Sequence, residues 1–161
     1  MTVLGIDPGL GNVGWAVITD KGPESEEYVL VASGVIKTGV KEKSEERLEK
    51  IYDEVRGLVE KYGVEVIGME SLFFAKNAKS AIKVAEAMGA IKVSAKKMGV
   101  EIREFTPLQI KMGLVGYGRA EKFQVEAMVR EFLRTDRQIV SEHASDAAAA
   151  GLMCIFDRKI G

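Results

Sequence analysis

Cysteine and histidine are nearly absent from this chain, which has one of each, Cys154 and His143, among 161 residues. A lone cysteine excludes a disulfide within the chain, and with a single histidine no clustered Cys/His zinc pattern can be drawn. The expectation is a reduced, cytoplasmic protein. No apolar run approaches the roughly 18 residues that a membrane helix needs, and the opening MTVLGID lacks the basic segment of a secretory signal. Asn and Gln are scarce, two and three against many Lys and Glu, a balance common among heat-stable proteins. A net charge of one sign is missing too, with 23 basic and 24 acidic side chains. What is present is the composition of an ordinary globular domain, 47% hydrophobic and 29% charged. A chain of this length buries roughly 70% of its unfolded surface, enough for one domain over residues 1–161 with a core of its own and too little for a second.

The near-neutral total hides an uneven distribution. Residues 1–75 carry 8 basic and 14 acidic side chains, residues 76–122 carry 10 and 4, and residues 123–161 carry 5 and 6. The basic middle reads either as a patch that meets polyanions or as the solvated face of one helix, since Lys79, Lys83, Lys92, Lys96 and Lys97 fall together.

Periodicity divides the chain into elements. Val3–Asp7 and Asn12–Thr19 read as strands around a turn of Pro8, Gly9 and Gly11, and Tyr28–Lys37 as a third, antiparallel strand. Both alternating sets of the second strand are apolar or small, which predicts cover on both faces and a core position for Trp15. Leu48, Ile51, Val55, Leu58 and Tyr62 then fall at helical spacing, with Ser44 as N-cap and Gly63 past the end. Val64–Glu70 is a fourth strand, Ala78–Met98 a long helix, and Val100–Phe105 a fifth strand. Gly113, Gly116 and Gly118 read as a mobile connection, followed by helices over Arg119–Arg134 and Ser141–Phe156. Short hairpins and a right-handed crossover give an α/β fold, a mixed five-stranded sheet in the order 3-2-1-4-5 with helices on both faces. Its switch point lies between strands 1 and 4, where open α/β sheets hold ligands.

Asp7 ends the first strand and Glu70 the fourth, so this topology sets two carboxylates about 5 Å apart. Such neighbours repel unless a proton or a cation lies between them, and oxygen ligation favours Mg²⁺ or Mn²⁺. In the last helix His143 and Asp146 share a face with Ala147, Ala150 and Cys154, and the small residues let that helix lie close over the strand ends as a source of further ligands. Taken singly, each acid could as well be a cap or a surface charge.

With this constellation the sequence resembles the RuvC family of Holliday-junction resolvases, in the ribonuclease-H-like superfamily. The resemblance spans nearly the whole chain: Gly5-Ile6-Asp7-Pro8-Gly9, Glu70 followed by Phe73, Ala75-Lys76-Asn77-Ala78, Gly116 through Ala120-Glu121-Lys122, and Asp146-Ala147-Ala148. It implies an endonuclease that nicks two opposing strands of a four-way DNA junction, leaving 5′-phosphate and 3′-hydroxyl ends. Its four acidic positions fall on Asp7, Glu70, His143 and Asp146, which would hold two Mg²⁺ ions. His143 departs from the pattern and shifts the expected preference towards Mn²⁺.

The resemblance also implies DNA contacts. Phe73 matches an aromatic that stacks on or wedges between bases near the crossover, with Phe74 left to the core. Lys111, Arg119 and Lys122 match basic positions near the scissile phosphate, and Lys76 and Asn77 belong to the same motif set; solvated side chains are the alternative for each. Ala81, Ile82, Ala85, Met88, Ile91 and Ala95 form an apolar stripe on the long helix, and Val84 and Val93 lie off it, more than burial on the sheet requires. That excess, with the resemblance, implies a two-fold homodimer. RuvA and RuvB, the branch-migration proteins, are partners on the resemblance alone. The competing readings are a nuclease of RNA/DNA hybrids or ribosomal RNA precursors, an actin-like ATPase built on the Asp7 turn, and a non-catalytic DNA-structure binder.

Overall fold

The structure is a computed structural model that describes residues 1–22, 24–72, 78–134, 139 and 141–160. Its sheet is built by alternation. In β1 (Thr2–Asp7), Leu4 and Ile6 are buried against one layer of helices and Val3 against the other. β2 (Asn12–Asp20) divides the same way, Val13 and Val17 to one side and Ala16 and Ile18 to the other. It pairs antiparallel with β1 and with β3 (Tyr28–Lys37), the second pairing shifting register between Val17 and Ile18. α1 (Ser44–Tyr62) crosses to β4 (Val66–Glu70), which runs parallel to β1, and α2 (Ala78–Lys97) leads to β5 (Glu101–Phe105), parallel to β4. Three helices follow: α3 (Pro107–Val115), α4 (Lys122–Leu133) and α5 (Glu142–Ile160). The strand order is β3-β2-β1-β4-β5, as the hairpins and crossovers predict. α1 and α2 close one core under the sheet, and α3, α4 and α5 close the other.

Several local expectations are corrected. Ser44 is the first helical residue of α1; Lys43 is the N-cap, and the Glu46 carboxylate accepts from its backbone N–H at 3.0 Å. Trp15 lies at the margin of the core, partly buried, with its ring 6.5 Å from that of Tyr62. The glycine-rich connection begins with a helix, α3, which Thr106 caps and Gly116 ends with φ at 76°. Thr106 accepts from the Gln109 N–H while the Gln109 side chain accepts from the Thr106 N–H, a reciprocal cap that starts the helix at Pro107.

What places α5 over the strand ends is the absence of side chains beneath it. A Cβ on Gly5 would stand 1.9 Å from the Ala147 carbonyl oxygen, one on Gly68 2.5 Å from that of Ala150, and one on Gly14 2.0 Å from that of His143. The backbone of α5, at His143, Ala147 and Ala150, thus meets bare backbone on β2, β1 and β4. Gly5→Ala is expected to cost at least about 1–3 kcal/mol by overpacking, lowering the thermal midpoint by several degrees. A midpoint equal to that of the unaltered chain would contradict this close approach.

Candidate active site

Asp7 and Glu70 emerge at the carboxyl ends of the central parallel pair, one residue beyond the paired Ile6 and Met69. α5 brings His143 and Asp146 over them. The His143 Nδ1 lies 2.8 Å from the Asp7 Oδ2, and with Asp7 ionised the Nδ1–H must donate, which leaves the Nε2 lone pair directed away from that carboxylate. The Lys122 ammonium donates to Asp146 and to Glu142, each at 3.2 Å. A cleft of about 200 Å³ opens beside these groups, with Glu70, Asp146, Lys111 and Lys122 on its walls and Ile110 and Val125 among its apolar lining.

The electrostatics of the site are those of crowded acids. Burial, then the charges of Asp7 and Asp146, pushes the Glu70 carboxyl up to about 7 from an ordinary 4.5. Asp7 is also raised, by burial first and by Asp146 next, against the pull of its His143 hydrogen bond. Lys122 is drawn down by burial, but the Asp146 charge and its hydrogen bonds to Asp146 and Glu142 outweigh that and hold it above its usual range.

The structure brings together Asp7, Glu70, His143 and Asp146, with Lys111 and Lys122 beside them. Arg119 stays exposed in the connection before α4, outside the cleft lining. Phe73, Phe74, Lys76 and Asn77 lie outside the described residues. Among the described residues no three acidic, histidine or cysteine side chains already form a ligand cage. Asp7 is engaged by His143, and Asp146 by Lys122. Glu142, the second partner of Lys122, was not singled out by sequence pattern; its place one residue before His143 was the available signal. The glycines beneath α5 were not singled out either, although Gly5 and Gly14 interrupt strands, where glycine marks close approach.

A mixed sheet in this order, with acidic residues closing its central parallel pair and a helix laid across their ends, is the ribonuclease-H-like architecture. Among solved structures, T. thermophilus RuvC in complex with a Holliday junction substrate superposes with a TM-score of 0.94 at 34% identity, covering 100% of this chain and 96% of that one. A family model described as crossover junction endodeoxyribonuclease RuvC matches residues 3–154. Proteins of that description from Natranaerobius thermophilus and Clostridioides difficile are 41% and 37% identical, over 94% and 99% of this chain and 92% and 93% of their own lengths. The chain belongs to the RuvC family of crossover junction endodeoxyribonucleases. This family is one of metal-dependent nucleases.

Proposed function

We propose that this chain, as one nuclease domain over residues 1–161, resolves Holliday junctions in DNA recombination and repair. It cuts two opposing strands symmetrically and leaves 5′-phosphate and 3′-hydroxyl ends. The observation that carries this reading is the meeting of Asp7, Glu70, Asp146 and His143 at one pair of strand ends, beside a cleft walled by Lys111 and Lys122. The T. thermophilus relative, solved with a Holliday junction, supports the substrate.

The donor set fits a pair of divalent ions. Three oxygen donors suit Mg²⁺, and the imidazole makes Mn²⁺ a workable substitute. Asp7, Glu70, His143 and Asp146 would hold them, and a bound cation would offset both the burial and the neighbouring acid charges that raise Glu70. Such a pair, when bound, lowers the pKa of the attacking water and stabilises charge on the leaving 3′ oxygen. The chain's own groups orient and neutralise. His143 fixes the Asp7 carboxylate through Nδ1, and Lys122 and Lys111 present ammonium groups to the phosphate that enters the cleft. Arg119 extends that basic surface; Phe73, Lys76 and Asn77 complete the DNA-contacting set on the family resemblance.

Symmetric cutting needs two copies. On α2, Ile82 and Val93 are 60% and 53% exposed and lie three turns apart on one side, so two large apolar side chains are left outside the core. A second copy packed there supplies the two-fold axis that matches the junction. Replacing both residues with Asp is expected to shift the mass at micromolar concentration from dimer to monomer; a monomeric unaltered chain would contradict the interface. RuvA and RuvB are further partners on the family resemblance, and a cytoplasmic location accords with work on chromosomal junctions. Among the described residues no helix is long and apolar enough to cross a membrane.

The direct test is cleavage of end-labelled DNA with Mg²⁺ and then Mn²⁺. A four-way junction is expected to give paired nicks with ligatable ends, while linear duplex and RNA/DNA hybrid stay intact. Hybrid cleavage, or tight junction binding without cleavage by either metal, would overturn this reading.

A further inference from the structure

On the face of the sheet opposite α5, the guanidinium of Arg47 has no acidic partner among the described residues. Arg47, in the first turns of α1, donates from Nε to the Thr38 hydroxyl at 2.8 Å, and that hydroxyl donates to the Leu10 carbonyl oxygen. The Thr38 N–H donates to the Gly11 carbonyl oxygen at 3.0 Å, which ties the end of β3 to the same turn. A Cβ on Gly11 would lie 3.6 Å from a terminal nitrogen of Arg47, so the guanidinium rests over the β1–β2 turn. Leu10 is three residues past Asp7, which keeps its Cα within about 11 Å of that of the catalytic aspartate.

One of the five guanidinium N–H donors is used, and the other four have no acceptor among the described residues. The neighbouring acids are turned elsewhere, Glu42 to the Gly39 N–H at 2.9 Å and Glu46 to the Lys43 N–H. A fixed, forked and unpaired guanidinium beside a phosphodiester-cleaving site is suited to bidentate contact with a phosphate. Lys37, exposed and paired in register with Asn12, adds a second positive charge at the same end of the sheet.

We propose that Arg47, held by Thr38 over the β1–β2 turn, contacts a backbone phosphate of the bound DNA on the α1 side of the catalytic carboxylates. DNA would then be gripped from both faces of the sheet, by Lys111 and Lys122 on one and Arg47 on the other. The inference rests on the chain being a DNA-binding nuclease, and deepens that reading by adding a contact.

The test is the salt dependence of junction binding by the full chain without divalent metal, measured by fluorescence anisotropy from about 50 to 200 mM KCl. Arg47→Met is expected to bind about tenfold more weakly and to flatten the slope of log K against log salt by about 0.9, the signature of one lost phosphate contact. Arg47→Lys keeps the charge and is expected to keep most of the slope. A guanidinium that only braces the turn would lower the thermal midpoint in both variants and leave the slope unchanged, and that result would overturn the proposal. Arg47→Gln, which retains a donor for Thr38, carries the same slope test if Arg47→Met folds poorly. Failure of the resolvase reading is separable: the unaltered chain would bind duplex as well as junction, while the slope difference on either DNA would still report on Arg47.

Discussion

Asp7→Asn is expected to abolish junction cleavage, by at least about 10³-fold or roughly 4 kcal/mol of barrier, and to leave junction binding within about threefold. The asparagine is isosteric and its side-chain oxygen can still accept from the His143 Nδ1–H, so the local geometry survives. What is lost is the charge that closes the central strand pair and that, on the proposed function, would help to hold the metal ions. The ammonium groups of Lys111 and Lys122 on the cleft wall are untouched, and on the proposed function they are the groups that would meet the DNA phosphates. Burial already raises the Asp7 carboxyl, so removing its charge is not expected to destabilise the chain. Single-turnover cleavage and anisotropy without divalent metal separate the two effects, and cutting at near the normal rate would contradict this role.

Glu70→Gln is expected to do something less usual, stabilising the metal-free protein while removing its activity. The folded carboxyl binds its proton more tightly than an unfolded one, about 7 against 4.5. Below about 4.5 both states are protonated and the group costs folding nothing. As pH rises from there to about 7, the unfolded chain ionises first, and stability falls by up to about 3 kcal/mol. The glutamine escapes that penalty, so its thermal midpoint at pH 8 is expected to exceed that of the unaltered chain by about 6–12 °C, with the gap closing near pH 4. Mg²⁺ should narrow the gap at pH 8 by neutralising the carboxylates of the unaltered chain. In the same way, metal-limited cleavage should fall about tenfold per unit below pH 7, as Glu70 takes up a proton. A glutamine variant less stable than its parent at pH 8 would show that burial and the neighbouring acids do not penalise an ionised Glu70.

The parts of this site that local chemistry dictates were legible in the sequence. Alternation fixes which face each strand buries, and chirality fixes where a crossover lands, so Asp7 and Glu70 fall on adjacent strand ends before any side chain is placed. Three features depend on other rules. α3 was hidden because Gly113 and Gly116 look like loop residues. Yet Gly113 admits the Met153 sulfur, which would lie 2.0 Å from a Cβ, and Gly116 is the helix C-cap. The sharing of Lys122 between Asp146 and Glu142 joins residues 24 and 20 positions apart, a pairing that no local period encodes. The seating of α5 was half visible: its alanines announced a close approach, while the answering Gly5, Gly14 and Gly68 sit on three different strands and meet only after folding.

The most direct measurement is on a supercoiled plasmid that extrudes a cruciform, incubated with the protein and Mg²⁺ and sampled over time. Paired cuts by two copies of this site, each placed on one of two opposing strands, predict that linear plasmid with cuts mapping to the cruciform base appears without prior accumulation of nicked circles. Persistent nicked circles, or linear product cut at sites unrelated to the cruciform, would contradict the account.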